Sequence, residues 1–223
     1  MISAKLLEAY DRWAQAYPAQ PHNPLMEAEQ RAMLDGMPLV TGRDVLDLAC
    51  GTGRYARLAE RSSAAHVVAL DFSLAMLGRA AAKGRVRGDI SRLPLRDRSF
   101  HLVISGLALG HAPDLVACMR EIARVLRPGG VLIYSDFHPE AGRCGLERSF
   151  KDAAGERVVL PRTTHDVPAH MAALESAGLR LTWYRDLRVG YEVCDPFPGS
   201  EDFYRTWQGT PIVLVAQASR PRP

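Results

Sequence analysis

From Gly42 onward, short strand-like runs alternate with helical runs, and this alternation narrows the possible folds more than any other feature of the chain. The strand candidates are 45–48, 66–70, 86–87, 100–105 and 131–135, and between them lie helical candidates at 55–61, 74–81 and 115–125. Strand and helix repeated in this way predict an α/β fold, with a parallel sheet covered by helices on both faces. Pro128-Gly129-Gly130 reads as a sharp stop after the third helix and a turn into the next strand.

The flanks read differently. Leu6, Leu7, Tyr10, Trp13, Ala14 and Tyr17 recur at helical spacing, so an amphipathic helix opens the chain. After a linker at 18–24, Asn23-Pro24 supplies a cap and a first-turn proline for a second helix reaching about Met33. Periodicity fades over 138–165, and a helix over 167–177 then ends at Gly178. Two β-rich runs, 179–191 and 212–218, enclose a Pro/Gly/aromatic loop at 194–209. The simplest account of 1–223 is one domain. It has a helical cap at 1–40, a sheet core at 42–137 and a variable region at 138–223.

Composition excludes several classes. A chain of 223 residues that is 47% hydrophobic and 24% charged has the make-up of a folded soluble protein. Of its 28 basic residues only Lys5, Lys83 and Lys151 are lysines, and the arginines are spread along the chain instead of forming a nucleic-acid patch. The four cysteines form no CxxC pair, which argues against a structural metal and a disulfide framework. Lys5, Glu8, Asp11 and Arg12 interrupt any secretory h-region, and no apolar run approaches the roughly 18 residues of a membrane span. The expectation is a cytoplasmic protein with no metal, nucleic-acid or membrane partner.

The chemistry gathers around Asp47-Leu48-Ala49-Cys50-Gly51-Thr52-Gly53, where a strand runs into a glycine loop that opens a helix. Such a loop turns backbone N–H groups toward a ligand, and glycines let that ligand come close. Gly51, Gly53 and Ala56 also fit a GxGxxA dinucleotide fingerprint. Asp47 bears on the choice. A carboxylate buried there would repel a pyrophosphate but suits an ammonium group, unless it merely caps a turn. Asp71, 18 residues after Gly53 at the tip of the next strand, can accept from two ribose hydroxyls, whichever nucleoside carries them. It can equally cap the following helix, a task open to Ser73 as well. Asp89 and Ile90 suit an adenine edge, or Gly88-Asp89 is only a turn.

Together these stretches resemble the class I S-adenosylmethionine-dependent methyltransferases. The match comprises Asp47 to Gly53, Leu70-Asp71-Phe72-Ser73, Gly88-Asp89-Ile90, Ser99 to Ser105 and Glu121 to Gly130, in the family's order. The resemblance implies a Rossmann-like seven-stranded sheet, mostly parallel, with an antiparallel C-terminal hairpin and an N-terminal helical lid. It implies that Gly51, Thr52 and Gly53, with Ala49 and Ser105 beside them, hold the methionine end of the cofactor, with Asp47 at its amino group. Asp71 would bind the ribose, Phe72 and Met76 would pack on the adenine, and Asp89 with Ile90 would meet its edge.

Methyl transfer needs alignment first, and a base only when the nucleophile must shed a proton. His111 and His138 are the candidate bases, each with a loop or strand-end role as its alternative, and His165 is a candidate at the substrate. Tyr10, Trp13 and Tyr17 are expected to form a lid over the site, or else to pack on the core. Tyr191, Phe197, Phe203, Tyr204 and Trp207 suggest an aromatic roof over a ring-tolerant pocket, together with the insertion at 142–160, or a homodimer surface. The expected reaction is methylation of a small organic acceptor at oxygen or nitrogen, possible in specialised metabolism. Alternatives are an RNA or protein methyltransferase, a non-catalytic S-adenosylmethionine-binding protein and an NAD-dependent oxidoreductase. No Asn-Pro-Pro-Tyr motif, Pro-Cys pair or basic run supports the macromolecular reading.

Overall fold

A computed structural model describes residues 3–152, 154–161, 163–190 and 200–222, and a seven-stranded sheet runs through its middle. At its centre β1 (Asp44–Leu48) pairs in parallel with β2 (His66–Asp71) on one side and β4 (Phe100–Ser105) on the other. Beyond β2 lies β3 (Gly84–Arg87), and beyond β4 lies β5 (Leu126–Phe137), both also parallel. The last two strands, β8 (Arg180–Arg188) and β9 (Pro211–Ser219), add antiparallel to β5 in the order β5-β9-β8. The expected architecture, including the antiparallel end, is therefore present.

Both faces of the central strands are buried, and strand alternation assigns their residues to one face or the other. Val45 of β1 and Leu102 of β4 pack in one core with Met33 and Tyr55. Leu46, Leu48 and Val103 pack in the other with Met119 and Ile122. The helices carry the starts that their sequences announce. Ser3 caps α1 (Ala4–Ala14), Asn23 caps α2 (Pro24–Asp35), Ser73 caps α4 (Leu74–Arg79) and Asp114 caps α5 (Leu115–Val125). Asp166 likewise caps α7 (Val167–Ser176). α3 (Arg54–Arg61) begins instead on Gly53, which has no side chain to cap it. Among the described residues, no helix is long and apolar enough to cross a membrane.

Three expectations need correction. Pro128-Gly129-Gly130 does not separate helix from strand. α5 is already closed by Leu126, where β5 starts, and residues 127–130 bulge between the Phe100–Leu126 and Leu102–Val131 pairings. The insertion at 142–160 is ordered into a short helix, α6 (Pro139–Arg143), and a hairpin of β6 (Ser149–Lys151) with β7 (Arg157–Val159). The loop at 194–209 carries a helix, α8 (Ser200–Trp207), with Glu201 and Asp202 in its first turn and Arg205 in its last. Tyr191 and Phe197 lie outside the described residues.

α1 stands over the carboxyl end of the sheet and buries Leu6, Tyr10, Trp13 and Ala14 against Met76, Phe150 and Leu160. Trp13 stacks on Phe150 of the hairpin at 4.5 Å between ring centroids and 9° between planes. Polar contacts fasten the helix on two sides. Ser73 donates to Asp11 and Arg79 to the Ala14 carbonyl on the β2 side, while Arg12 pairs with Asp152 and Glu156 on the hairpin. The expected lid is thus also packed on a core of its own.

Candidate functional site

The sheet order reverses between β1 and β4, and the carboxyl ends of strands at such a switch point leave a crevice. Three residues of the β1–α3 loop, Ala49, Gly51 and Gly53, have φ of 55°, 54° and 77°. The two glycines serve different ends. A Cβ on Gly51 would meet only the Tyr17 ring, at 3.9 Å, so this residue leaves the crevice open. A Cβ on Gly53 would come within 3.2 Å of the Ala80 Cβ, so that glycine lets α3 pack closely on the end of α4. Ala49 holds the left-handed conformation without being glycine, which costs about 1–2 kcal/mol.

Two buried carboxyl groups face this crevice. Asp47 accepts from the Ala56 amide at 2.7 Å, and burial pushes its pKa up to about 7. Asp71 accepts from the Gly51 amide at 2.8 Å and the Ser73 amide at 2.9 Å, so it ties the β2 tip to the glycine loop while burial raises it to about 6. Ala49, Gly51, Phe72 and Ile90 complete the wall nearest β1 and β2, and Tyr10 and Tyr17 close it from the lid. Tyr10 sits edge-on to Phe72 at 5.6 Å.

Other predicted positions fall outside that lining. Met76 is fully buried in the lid core, under α1. Thr52 and Ser105 are buried beside the crevice with hydroxyls that find no partner among the described residues. Asp89 accepts from the amide and hydroxyl of Ser91, the turn geometry that was its alternative reading.

The three candidate histidines are each engaged. His111, in a 3-10 turn at Leu109–His111, contacts the Pro161 carbonyl through Nδ1 at 3.2 Å, a bond in which the ring must be the donor. Its Nε2 is then left to accept from the Tyr10 hydroxyl at 2.8 Å and from Arg148. Burial and the Arg148 charge hold His111 well below its ordinary pKa, so it is a neutral acceptor. His138 caps α6 by accepting from the Glu140 amide at 3.2 Å, and its Nε2 lies 3.3 Å from Asp186. His165 donates from Nε2 to the Ala112 carbonyl at 2.7 Å.

Beneath the crevice lies a group that the sequence did not reveal. Glu29 of α2 is wholly buried and accepts from Arg54 at 2.7 Å, the Tyr55 hydroxyl at 2.7 Å and the Ser135 hydroxyl at 2.6 Å. It joins α2, α3 and β5 directly under the glycine loop. Nothing in the α2 pattern distinguishes Glu29 from Glu27, because its partners lie up to 106 residues away.

A second chamber of about 210 Å³ opens beside the crevice and shares Tyr17, Leu107 and Arg148 with it. Its wall is mainly apolar and includes Trp13, Leu25, Met26, Phe137 and Phe203. Trp13, Tyr17 and Phe203 therefore border one space, whereas His165 and His138 border a smaller cavity behind Asp136.

Comparison with known proteins finds methyltransferases. Residues 46–134 match the model of a methyltransferase domain. Over 130 residues the chain is 40% identical to malonyl-[acyl-carrier protein] O-methyltransferase of Dechloromonas aromatica, a match covering 57% of this chain and 49% of that protein. It is 39% identical over 110 residues to demethylmenaquinone methyltransferase of Mycolicibacterium paratuberculosis, covering 48% and 47% of the two. The chain spans about half the length of these curated relatives. The crystal structure of an S-adenosylmethionine-dependent methyltransferase from Mesorhizobium loti superposes with a TM-score of 0.71 at 26% identity, covering 86% of this chain and 98% of that one.

Proposed function

Since the chain belongs to the class I S-adenosylmethionine-dependent methyltransferase family, we propose that it transfers a methyl group from that cofactor to a small organic acceptor at oxygen or nitrogen. One arrangement carries this reading. Two buried carboxyl groups, Asp47 and Asp71, flank an open Gly51 in a crevice that adjoins an apolar chamber through Leu107.

The donor set suits the cofactor. Among the described residues Asp47 accepts one hydrogen bond and forms no ion pair, burial raises its pKa to about 7, and the Arg54 charge reaches it without contact, so the cofactor's ammonium group would supply its direct partner. Asp71 keeps lone pairs for ribose hydroxyls, and Phe72 and Ile90 offer apolar faces for the adenine. When bound, the cofactor supplies an electrophilic methyl group. The protein's part is to hold the acceptor in line with it and to keep water out. Tyr10, Tyr17 and Trp13 perform the exclusion from above. No histidine need act as base, since His111 already spends Nε2 on Tyr10 and Arg148.

A second reading is favoured by the 40% identity to a malonyl-[acyl-carrier protein] O-methyltransferase, and in it the acceptor arrives on a carrier protein. Comparing turnover of a free thioester with that of its carrier-bound form separates the two.

Calorimetric titration with S-adenosylhomocysteine and with NAD, on wild type and Asp71→Ala, tests the cofactor. Binding of S-adenosylhomocysteine that collapses in the variant, without NAD heat, is the expected outcome. NAD binding, or undiminished S-adenosylhomocysteine binding in the variant, refutes the assignment.

A further inference from the structure

Arg148 borders all three cavities at the carboxyl end of the sheet: the crevice, the apolar chamber and the small space behind Asp136. Among the described residues it is held by one terminal nitrogen only, which donates to the Leu107 carbonyl at 2.8 Å and to His111. The guanidinium stands 4.9 Å from the centroid of the Phe137 ring. Among the described residues no carboxylate comes within 4 Å of it. The arginines around it differ, for Arg12, Arg54 and Arg157 each meet one.

Neither nearby acid forms an ion pair with it. Glu147 pairs with Arg157 at 2.7 Å, and Asp136, which the Arg148 charge reaches without contact, accepts from the Phe137 amide at 2.8 Å. A half-buried cation facing apolar walls is costly unless an anion completes it. The neighbouring His111 offers no spare basic nitrogen, so an acceptor arriving already ionised suits this site better than one that must be deprotonated there. A carboxylic acid, ionised at neutral pH, meets both conditions.

Building on the methyltransferase reading, we propose that the acceptor is a carboxylate with an apolar body. The carboxylate occupies the free N–H groups of Arg148, and the body fills the chamber bounded by Trp13, Leu25, Met26 and Phe203. Arg148 is thus a specificity-determining residue that selects charged over neutral acceptors.

The test uses hexanoate and hexanamide, equal in size and different in charge, titrated calorimetrically into the protein with and without saturating S-adenosylhomocysteine. Charge-assisted hydrogen bonds predict that hexanoate binds roughly tenfold or more tightly than hexanamide. Arg148→Gln should abolish that preference, and Arg148→Lys should retain part of it. Thermal melting of each variant controls for folding, and retention of the preference by Arg148→Lys separates lost charge from lost structure. Equal affinities in wild type, no heat from either probe, or a preference that survives Arg148→Gln overturns the proposal. So does a variant that loses S-adenosylhomocysteine affinity while still discriminating the probes, since the cation would then serve the cofactor. Absence of S-adenosylhomocysteine binding would sink the methyltransferase reading instead, and the titration of the cofactor-free protein would still judge Arg148.

Discussion

Replacing Glu29 with alanine should damage this protein more than its place in a surface helix suggests. The side chain is 0% exposed and its partner Arg54 only 11%, so the substitution strands a guanidinium in a low-dielectric interior. Breaking a buried ion pair from one side costs about 3–5 kcal/mol. The Tyr55 and Ser135 hydroxyls also lose their acceptor, but their losses overlap with that term because all three donors share one carboxylate. For a chain of this length each kcal/mol lowers Tm by about 2–4 °C, so Glu29→Ala should melt about 6–20 °C lower. Urea unfolding with linear extrapolation would supply the free energy directly. The mechanism also predicts a sign. Adding Arg54→Met to Glu29→Leu removes the stranded cation, so the double variant should be more stable than Glu29→Leu alone. A loss below about 1 kcal/mol for Glu29→Ala, or strictly additive effects in the pair, would refute the reasoning.

Other outcomes follow from the same contacts. Burial raises Asp47 to about 7 and Asp71 to about 6, so the ligand-free fold holds protons that the unfolded chain releases near pH 4. Their contribution to stability is full below that pH and is lost as pH rises through 6 and 7, a trend that melting curves across pH 4–8 would reveal. Cofactor binding should accordingly release protons near pH 6.5, and calorimetric heats should vary with the buffer's ionisation enthalpy; buffer-independent heats would count against ionisation of Asp47. Gly106→Ala would place a Cβ 2.6 Å from the Tyr55 ring and 3.2 Å from Glu29, so it should destabilise the protein by about 1–3 kcal/mol in urea unfolding and weaken S-adenosylhomocysteine binding. Arg12→Ala removes two ion pairs at the surface, so its melting temperature should barely change while limited proteolysis of the 15–23 segment speeds up.

What the sequence disclosed follows from where its signals are local. The strands around β1 were legible because both their faces are buried, which makes them short apolar runs between helices. That Asp71 and Gly51 border one crevice was legible because strand tip and glycine loop meet at a switch point, although their mutual hydrogen bond was not foreseen. Glu29 and Arg148 were not legible. Each lies among polar residues, and each acquires its meaning from groups far along the chain, 106 residues for Glu29 to Ser135 and 41 for Arg148 to Leu107. The β6–β7 hairpin lacks a two-residue glycine turn, and its pairing covers only Ser149–Lys151 with Arg157–Val159. α8 did announce itself through acids in its first turn and a base in its last, but the Pro- and Gly-rich flanks outweighed that signal.

The α1 helix is fastened to the β2 side of the crevice by Asp11 and the Ala14 carbonyl, and to the hairpin by Arg12 and Trp13. A molecule passing beneath it on the β2 side would part the first of those seams, and one passing on the hairpin side the second. A roof tied at both edges couples the crevice to the hairpin, and any turnover limited by its opening would slow in proportion as glycerol or sucrose thickens the medium.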